Sequence, residues 1–355
     1  MSNFEKIDKN FKVETTINKN DVLFYDPREL PFRIYGVYHE DGQYRRMPRA
    51  VAESVSEGVL ALHANTAGGR IRFKTDSPYV AISLKFGDNV VRSSNASPSG
   101  LSGLDLYVKH DGVFNHKATF LPPYIEVEGF DGVAELDSCE MREILINMPS
   151  YADVKSLYIG LSDTARVQRA EEYSNERPVV YYGSSITQGG CASRTGLTYQ
   201  NIISRRLNLD YINLGFSGSA KGEDNMADYL KELDMSLFVY DYDHNAPSPE
   251  HLEATHERMF LRIREANPTL PIIILSRPKY TLPEIEKRRL KTIEATYNNA
   301  IMRGDKNVYL LRGRDMLSLV GEEWSVDRIH PNDLGFYSMA KALGDFMLEN
   351  GLSKL

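Results

Sequence analysis

The sequence holds 355 residues, 42% hydrophobic and 26% charged, which are globular values and enough length for two domains of ordinary size. Its 42 Lys and Arg against 49 Asp and Glu leave a net charge of −7, which argues against a phosphate-backbone binder, so nucleic acid is not an expected partner. No apolar run approaches the roughly 18 residues of a membrane span, and the two cysteines, Cys139 and Cys191, lie far apart without metal-type spacing.

The opening Met1-Ser2-Asn3-Phe4-Glu5-Lys6-Ile7-Asp8-Lys9-Asn10 is polar and mixed in charge, with no apolar stretch or small-residue cleavage site of a secretory leader. Together with the sparse cysteines this sets the expectation of a soluble, cytoplasmic protein without a membrane partner. From about residue 32 to 170, short alternating segments are broken by Gly, Asp, Asn and Pro turns. Runs at 59–62, 70–73, 80–86, 104–108 and 143–146 suit half-buried strands, His110-Asp111-Gly112 supplies a hairpin turn, and no long amphipathic helix intervenes. The pattern predicts an antiparallel β-sandwich. Within it, residues 92–103 are small and polar, a surface loop that is either solvated or leans over a neighbouring site.

After Asn175-Glu176-Arg177-Pro178 the period changes. Apolar runs at 179–182, 211–214, 237–240, 272–275 and 308–311 alternate with helical segments at 198–207, 225–233, 249–266, 282–302 and 333–349, the last stopped by Asn350-Gly351. This predicts an α/β domain of about five parallel strands between helical layers, with domains at 1–175 and 176–355. Ligands of such open sheets bind beyond the carboxyl ends of the strands.

The first strand runs into Gly183-Ser184-Ser185-Ile186, a sharp turn that presents Ser185 where a helix begins. The second runs into Gly215-Phe216-Ser217-Gly218-Ser219, where Gly218 offers a bare N–H. The third ends in Asp241-Tyr242-Asp243-His244-Asn245, whose final amide can stabilise an oxyanion without a proton to manage. Asp241, Asp243 and Asn245 also imitate the opening of a calcium loop, but Ala246 stands at the turn glycine and Leu252 at the bidentate glutamate, so no metal is expected. His251 and His256 fall on a charged helix and are expected to face solvent. Just before the last helix, Val326-Asp327-Arg328-Ile329-His330-Pro331 sets a carboxylate three residues ahead of an imidazole, so that Asp327 can take the Nδ1–H and leave Nε2 as a base. Each segment alone reads equally as a turn or a helix cap; at successive ends of one sheet they compose a hydrolytic site.

Together these segments resemble the four blocks of the SGNH (GDSL-type) hydrolase superfamily: Gly183-Ser184-Ser185-Ile186, then Asn213-Leu214-Gly215-Phe216-Ser217-Gly218, then Asp243-His244-Asn245, then Asp327-Arg328-Ile329-His330-Pro331. The resemblance spans about residues 178–350. In the first half, Gly103-Leu104-Asp105-Leu106-Tyr107 is similar to a Gly-x-Asp-Leu-Tyr motif in the β-sandwich of two-domain bacterial members, carbohydrate esterases that remove O-acetyl groups from plant polysaccharide fragments, acetylated mannans among them. The resemblance implies a flavodoxin-like three-layer α/β/α catalytic domain behind a jelly-roll-like sandwich. It implies Ser185 as nucleophile, His330 as base and Asp327 as its partner, an oxyanion hole from Ser185 N–H, Gly218 N–H and the Asn245 side chain, and no cofactor. Ser184, Asp243 and Ala246 depart from the usual Asp, Gly and Asp without removing a catalytic atom.

On this resemblance the expected activity is that of a serine esterase for acetylated oligosaccharides of mannan or xylan type. An acyltransferase using the same triad and a non-catalytic carbohydrate-binding protein are the competing readings. Trp324 is a candidate stacking face for a sugar, and Arg194, Lys279, Tyr280 and His244 are candidate hydroxyl partners. The sequence leaves homo-oligomerisation open.

Overall fold

The computed structural model describes residues 16–123 and 127–353, so the polar opening at 1–10 lies outside the described residues. The chain divides into two units, one made of residues up to 45, 64–172 and 194–196, the other of residues 46–63, 173–193 and from 197 onward.

In the first unit the alternating segments become β1 (Val22–Tyr25), β2 (Arg33–Tyr35), β3 (Tyr38–Glu40), β4 (Gln43–Arg45), β5 (Arg70–Thr75), β6 (Tyr79–Val90), β7 (Leu104–His110), β8 (Val113–Phe120), β9 (Gly129–Glu135), β10 (Arg142–Asn147), β11 (Ala152–Ser162) and β12 (Val167–Gln168). Apart from the β3–β4 hairpin they form two antiparallel sheets, β1-β11-β6-β9 and β12-β5-β10-β7-β8, with β2 also paired to β5. Alternate residues of the two sheets, such as Ile82 and Leu84 on one and Ile71 and Phe73 on the other, share one core, which makes the unit a β-sandwich. Asp111 (φ 50°) and Gly112 (φ 81°) take the left-handed backbone that a tight hairpin demands between β7 and β8. The polar loop at 92–103 contains a short helix, Pro98–Leu101, capped by Ser97 and anchored by the buried Leu101.

The second unit is built on β13 (Val179–Gly183), β14 (Tyr211–Gly215), β15 (Leu237–Asp241), β16 (Ile272–Leu275) and β17 (Val308–Leu311), all parallel, in the order β14-β13-β15-β16-β17. This is the flavodoxin-like order, with the first strand flanked by the next two. Both faces are covered: Val180 and Tyr182 enter one core, Val179 and Tyr181 the other, which explains why these strands read as unbroken apolar runs. Tyr199–Leu207 and Asp333–Glu349 lie on one side; Asp224–Leu230, Pro249–Ala266 and Glu284–Met302 lie on the other. Among the described residues no helix is long and apolar enough to cross a membrane.

Four local expectations are corrected. Residues 59–62 are not a strand but part of a helix, Glu57–Leu62, that follows another, Arg49–Val55. A four-residue apolar run is ambiguous between the two states, and here Val51, Ala52, Val55 and Val59 recur at helical spacing while the Ser56 hydroxyl caps the Val59 N–H at 3.2 Å. This pair belongs to the second unit, where Ala52 and Val59 join the core of Leu214 and Phe216, so a single cut at 175 does not separate the units. His256 is buried rather than solvent-facing, because it shares the inner helical stripe with Leu252, Met259, Phe260 and Ile263. Its Nδ1 meets Thr296 Oγ1 at 2.7 Å, and burial pushes its pKa down to about 3. His251 is half-buried, its Nε2 on the Lys221 carbonyl at 2.7 Å.

Candidate active site

Gly183 pairs in register with both Gly215 and Asp241, so three strands of the parallel sheet end together. The chain leaves them under tight constraint. Phe216 N–H donates to the Gly183 carbonyl (2.8 Å) and Ser184 N–H to the Asp241 carbonyl (3.2 Å). A Cβ on Gly183 would sit 2.1 Å from that Asp241 oxygen, so the close approach needs glycine. Ser184 then caps the short helix Ser185–Gln188, its hydroxyl accepting the Ile186 N–H at 3.2 Å. The helix opens on Ser185.

Across 145 residues of sequence, His330 Nε2 lies 3.0 Å from Ser185 Oγ. His330 Nδ1 lies 2.7 Å from Asp327 Oδ2, while Asp327 Oδ1 accepts the backbone N–H groups of His330 (2.8 Å) and Ile329 (3.0 Å). Arg328, at φ 67°, supplies the left-handed residue that folds the carboxylate back onto the ring. Partial burial works to raise the Asp327 pKa, but the bonds from the His330 N–H, the imidazole and the Ile329 N–H prevail and hold it well below the usual carboxylate range. An ionised Asp327 fixes the proton of His330 on Nδ1 and turns the Nε2 lone pair toward the serine hydroxyl. That line can withdraw a proton from Ser185.

The neighbouring loops are laced to it. Asn245 Nδ2 donates to the Phe216 carbonyl (2.9 Å), Asn245 N–H to the Tyr242 carbonyl (3.0 Å), and Ser217 N–H to Gln188 Oε1 (2.9 Å). A carboxamide nitrogen carries two hydrogens, so Asn245 keeps one beyond its bond to Phe216. Gly218 adopts φ 68°, with open space where a Cβ would be, and its N–H has no partner among the described residues. Donors of this kind suit an oxygen that gains negative charge.

Residues 176–347 match the GDSL-like lipase/acylhydrolase family, and residues 22–167 match the N-terminal domain of SGNH hydrolase-type esterases. The chain belongs to the GDSL-like lipase/acylhydrolase family. This acylhydrolase is similar along most of its length to a GDSL-like lipase from Bacteroides ovatus, 29% identical, covering 92% of this chain and 97% of that one at a TM-score of 0.83. Its fold is shared by a salicylyl-acyltransferase from a tetracycline biosynthetic pathway (19% identity, 95% and 99% coverage, TM-score 0.75). It is also shared by a family two carbohydrate esterase from Clostridium thermocellum in complex with cellohexaose (14%, 91% and 100%, 0.61). A comparison with curated proteins found no match.

The sugar-contact candidates fare differently. Trp324 is 2% exposed in the core beside the last helix, so it has no free face for a sugar, and that expectation is withdrawn. Arg194 is half-buried, its guanidinium bonded through Nη1 to Asp105 Oδ2 at 3.0 Å and to the Tyr107 hydroxyl in the β-sandwich unit. Tyr280 is half-buried beneath the Arg314 guanidinium (5.2 Å to the ring centre), and Lys279 is half-buried next to it. His244 sits on the turn of Asn245, and burial, followed by the charges of Arg277, His330 and Lys279, drives its pKa well down. A cavity of about 920 Å³ opens in the sandwich unit, lined by Phe86, Val90, Arg92, Leu101 and Lys155 among others.

The acylhydrolase also buries an acid that sequence reasoning assigned no role. Asp241 is 1% exposed at the end of β15 and accepts the Thr187 hydroxyl at 3.4 Å. The only signal in the sequence is its position closing an apolar strand. Burial, then the neighbouring Asp243, pushes its pKa up to about 8 from 3.8. Because the folded value lies above the unfolded one, the neutral acid favours folding: its contribution is complete below about pH 4 and is lost as pH rises through about 8. Asp241→Asn is therefore expected to flatten the decline of Tm between about pH 5 and pH 8. A decline as steep as that of the native chain would mean that Asp241 is already ionised.

Proposed function

We propose that this acylhydrolase is a serine esterase that removes O-acetyl groups from plant-derived oligosaccharides of mannan or xylan type. The observation that carries the reading is the unbroken line from Ser185 Oγ through His330 to Asp327, at 3.0 and 2.7 Å. His330 takes the Ser185 proton as the oxygen attacks the acetyl carbonyl, and Asp327 stabilises the imidazolium that forms. Ser185 N–H, Gly218 N–H and the Asn245 amide receive the oxyanion, each such donor contributing about 3 kcal/mol. His330 then protonates the departing sugar oxygen, and water attacks the acetyl-serine with His330 again as base. The carbohydrate part of the reading is supported by the shared fold of the cellohexaose-bound carbohydrate esterase and by the Gly-Leu-Asp-Leu-Tyr motif at 103–107. Lys279, Tyr280 and His244 are its candidate hydroxyl partners.

The test is acetate release from acetylated manno-, xylo- and gluco-oligosaccharides, native chain against Ser185→Ala. Serine-dependent release from one backbone names the substrate class. No release from any sugar, by protein that still reacts with an active-site serine probe, would sink the carbohydrate reading, and no reaction with the probe would favour a non-catalytic glycan binder. A second reading, acyl transfer to another hydroxyl, is favoured by the salicylyl-acyltransferase of the same fold. Product analysis with an added sugar acceptor separates transfer from hydrolysis.

A further inference from the structure

The turn that carries Asn245 has a charged support behind it. Asp243 is 2% exposed; its Oδ2 accepts the Arg277 backbone N–H at 3.2 Å, with Arg277 Nε 3.5 Å away. Arg277 Nη2 and Arg289 Nη1 both donate to the Asp243 carbonyl at 2.9 Å, and Arg289 Nη2 donates to the Ala246 carbonyl at 2.9 Å. Those two carbonyls bracket His244 and Asn245. Glu286 completes the cluster on Arg277 Nη1 at 2.5 Å, so two guanidiniums face two carboxyl groups in a site shielded from water. Arg277 follows β16, and Arg289 lies in the helix Glu284–Met302, so two separate elements grip one turn.

Buried ion clusters are weak contributors to stability, since desolvation offsets most of their attraction. A planar guanidinium, however, can bridge two carbonyls through two nitrogens at fixed spacing, whereas an ammonium has to reach both from a single nitrogen. We infer that Asp243, Arg277 and Arg289 are positioning residues that hold the 243–246 turn so that Asn245 keeps one amide hydrogen on Phe216 and presents the other to the oxyanion. The departure from the family pattern at Asp243 is then part of the device, because a glycine there would leave the Arg277 backbone N–H without its acceptor and Glu286 as the Arg277 guanidinium's remaining carboxylate in the cluster. The inference rests on the serine-esterase reading.

The test uses an aryl acetate as probe substrate on the whole chain. Arg289→Lys keeps the charge and loses the two-pronged grip; it is expected to lower kcat by about tenfold or more with KM within about twofold. In an Asn245→Ala background the same substitution should change kcat by less than about twofold, because the residue it acts through is gone. Losses that multiply in the double variant would overturn the clamp. Arg289→Met, which leaves the Asp243 and Ala246 carbonyls without Arg289's donors and removes one of the cluster's two positive charges, is the harsher variant; Tm is measured for all, so that Arg289→Lys decides if Arg289→Met does not fold. Hydrogen exchange of the 242–248 segment gives a reading independent of turnover: local acceleration in Arg289→Lys supports the clamp, and unchanged exchange overturns it. A native chain without serine-dependent turnover counts against the esterase reading instead.

Discussion

Ser185→Ala and His330→Ala are each expected to lower kcat by about a millionfold, and the double variant by no more than either alone. Ser185 supplies the attacking oxygen and His330, 3.0 Å away, its proton acceptor; removing either ends covalent catalysis, so nothing remains for the second change to remove. What survives in all three is about 10³- to 10⁴-fold over water, contributed by oxyanion donors and substrate positioning. Initial rates on an aryl acetate, with purified protein checked for contaminating esterase, read this directly. A double variant whose loss equals the product of the single losses would show that the two residues serve different steps.

Asn245→Ala is expected to lower kcat by about a hundredfold to a thousandfold while leaving KM near its native value, since the amide meets charge that exists only in the transition state. The substitution also removes the bond to the Phe216 carbonyl, a loss of about 1 kcal/mol to folding. Stability should therefore fall slightly and turnover greatly. A rise in KM at constant kcat would instead place Asn245 among groups that bind the ground state.

The parallel sheet is legible because its strands are buried on both faces and its helices are long, so the change of period after Pro178 marks the architecture at once. Ser185, Gly218, Asn245 and the Asp327–His330 pair are legible for another reason: each occupies a strand end or a turn whose local chemistry is written within a few residues. What depends on partners distant in sequence is not. Trp324 looks like a sugar platform until its burial is known, and nothing beside Arg194 in the sequence announces the Asp105 that holds it from 89 residues away. Asp243 looks like a blemish in the third block until Arg277 and Arg289 arrive from 34 and 46 residues away. The helices at Arg49–Val55 and Glu57–Leu62 are missed because each is too short for its period to outweigh the β-rich surroundings.

Those helices have a further consequence. The chain passes between its two units five times, at 45/46, 63/64, 172/173, 193/194 and 196/197. Met47, Ala52 and Val59 complete a core with Leu214 and Phe216, and Arg46 Nη1 donates to the carbonyls of Asn213 (3.0 Å) and Gly215 (2.7 Å) on the strand next to the nucleophile's. A gene fragment that begins at codon 176 thus encodes the parallel sheet without a piece of its own interior. A single cut in the gene therefore cannot deliver the parallel-sheet unit with its whole interior: residues 46–63 have to be carried along with everything from 173 onward.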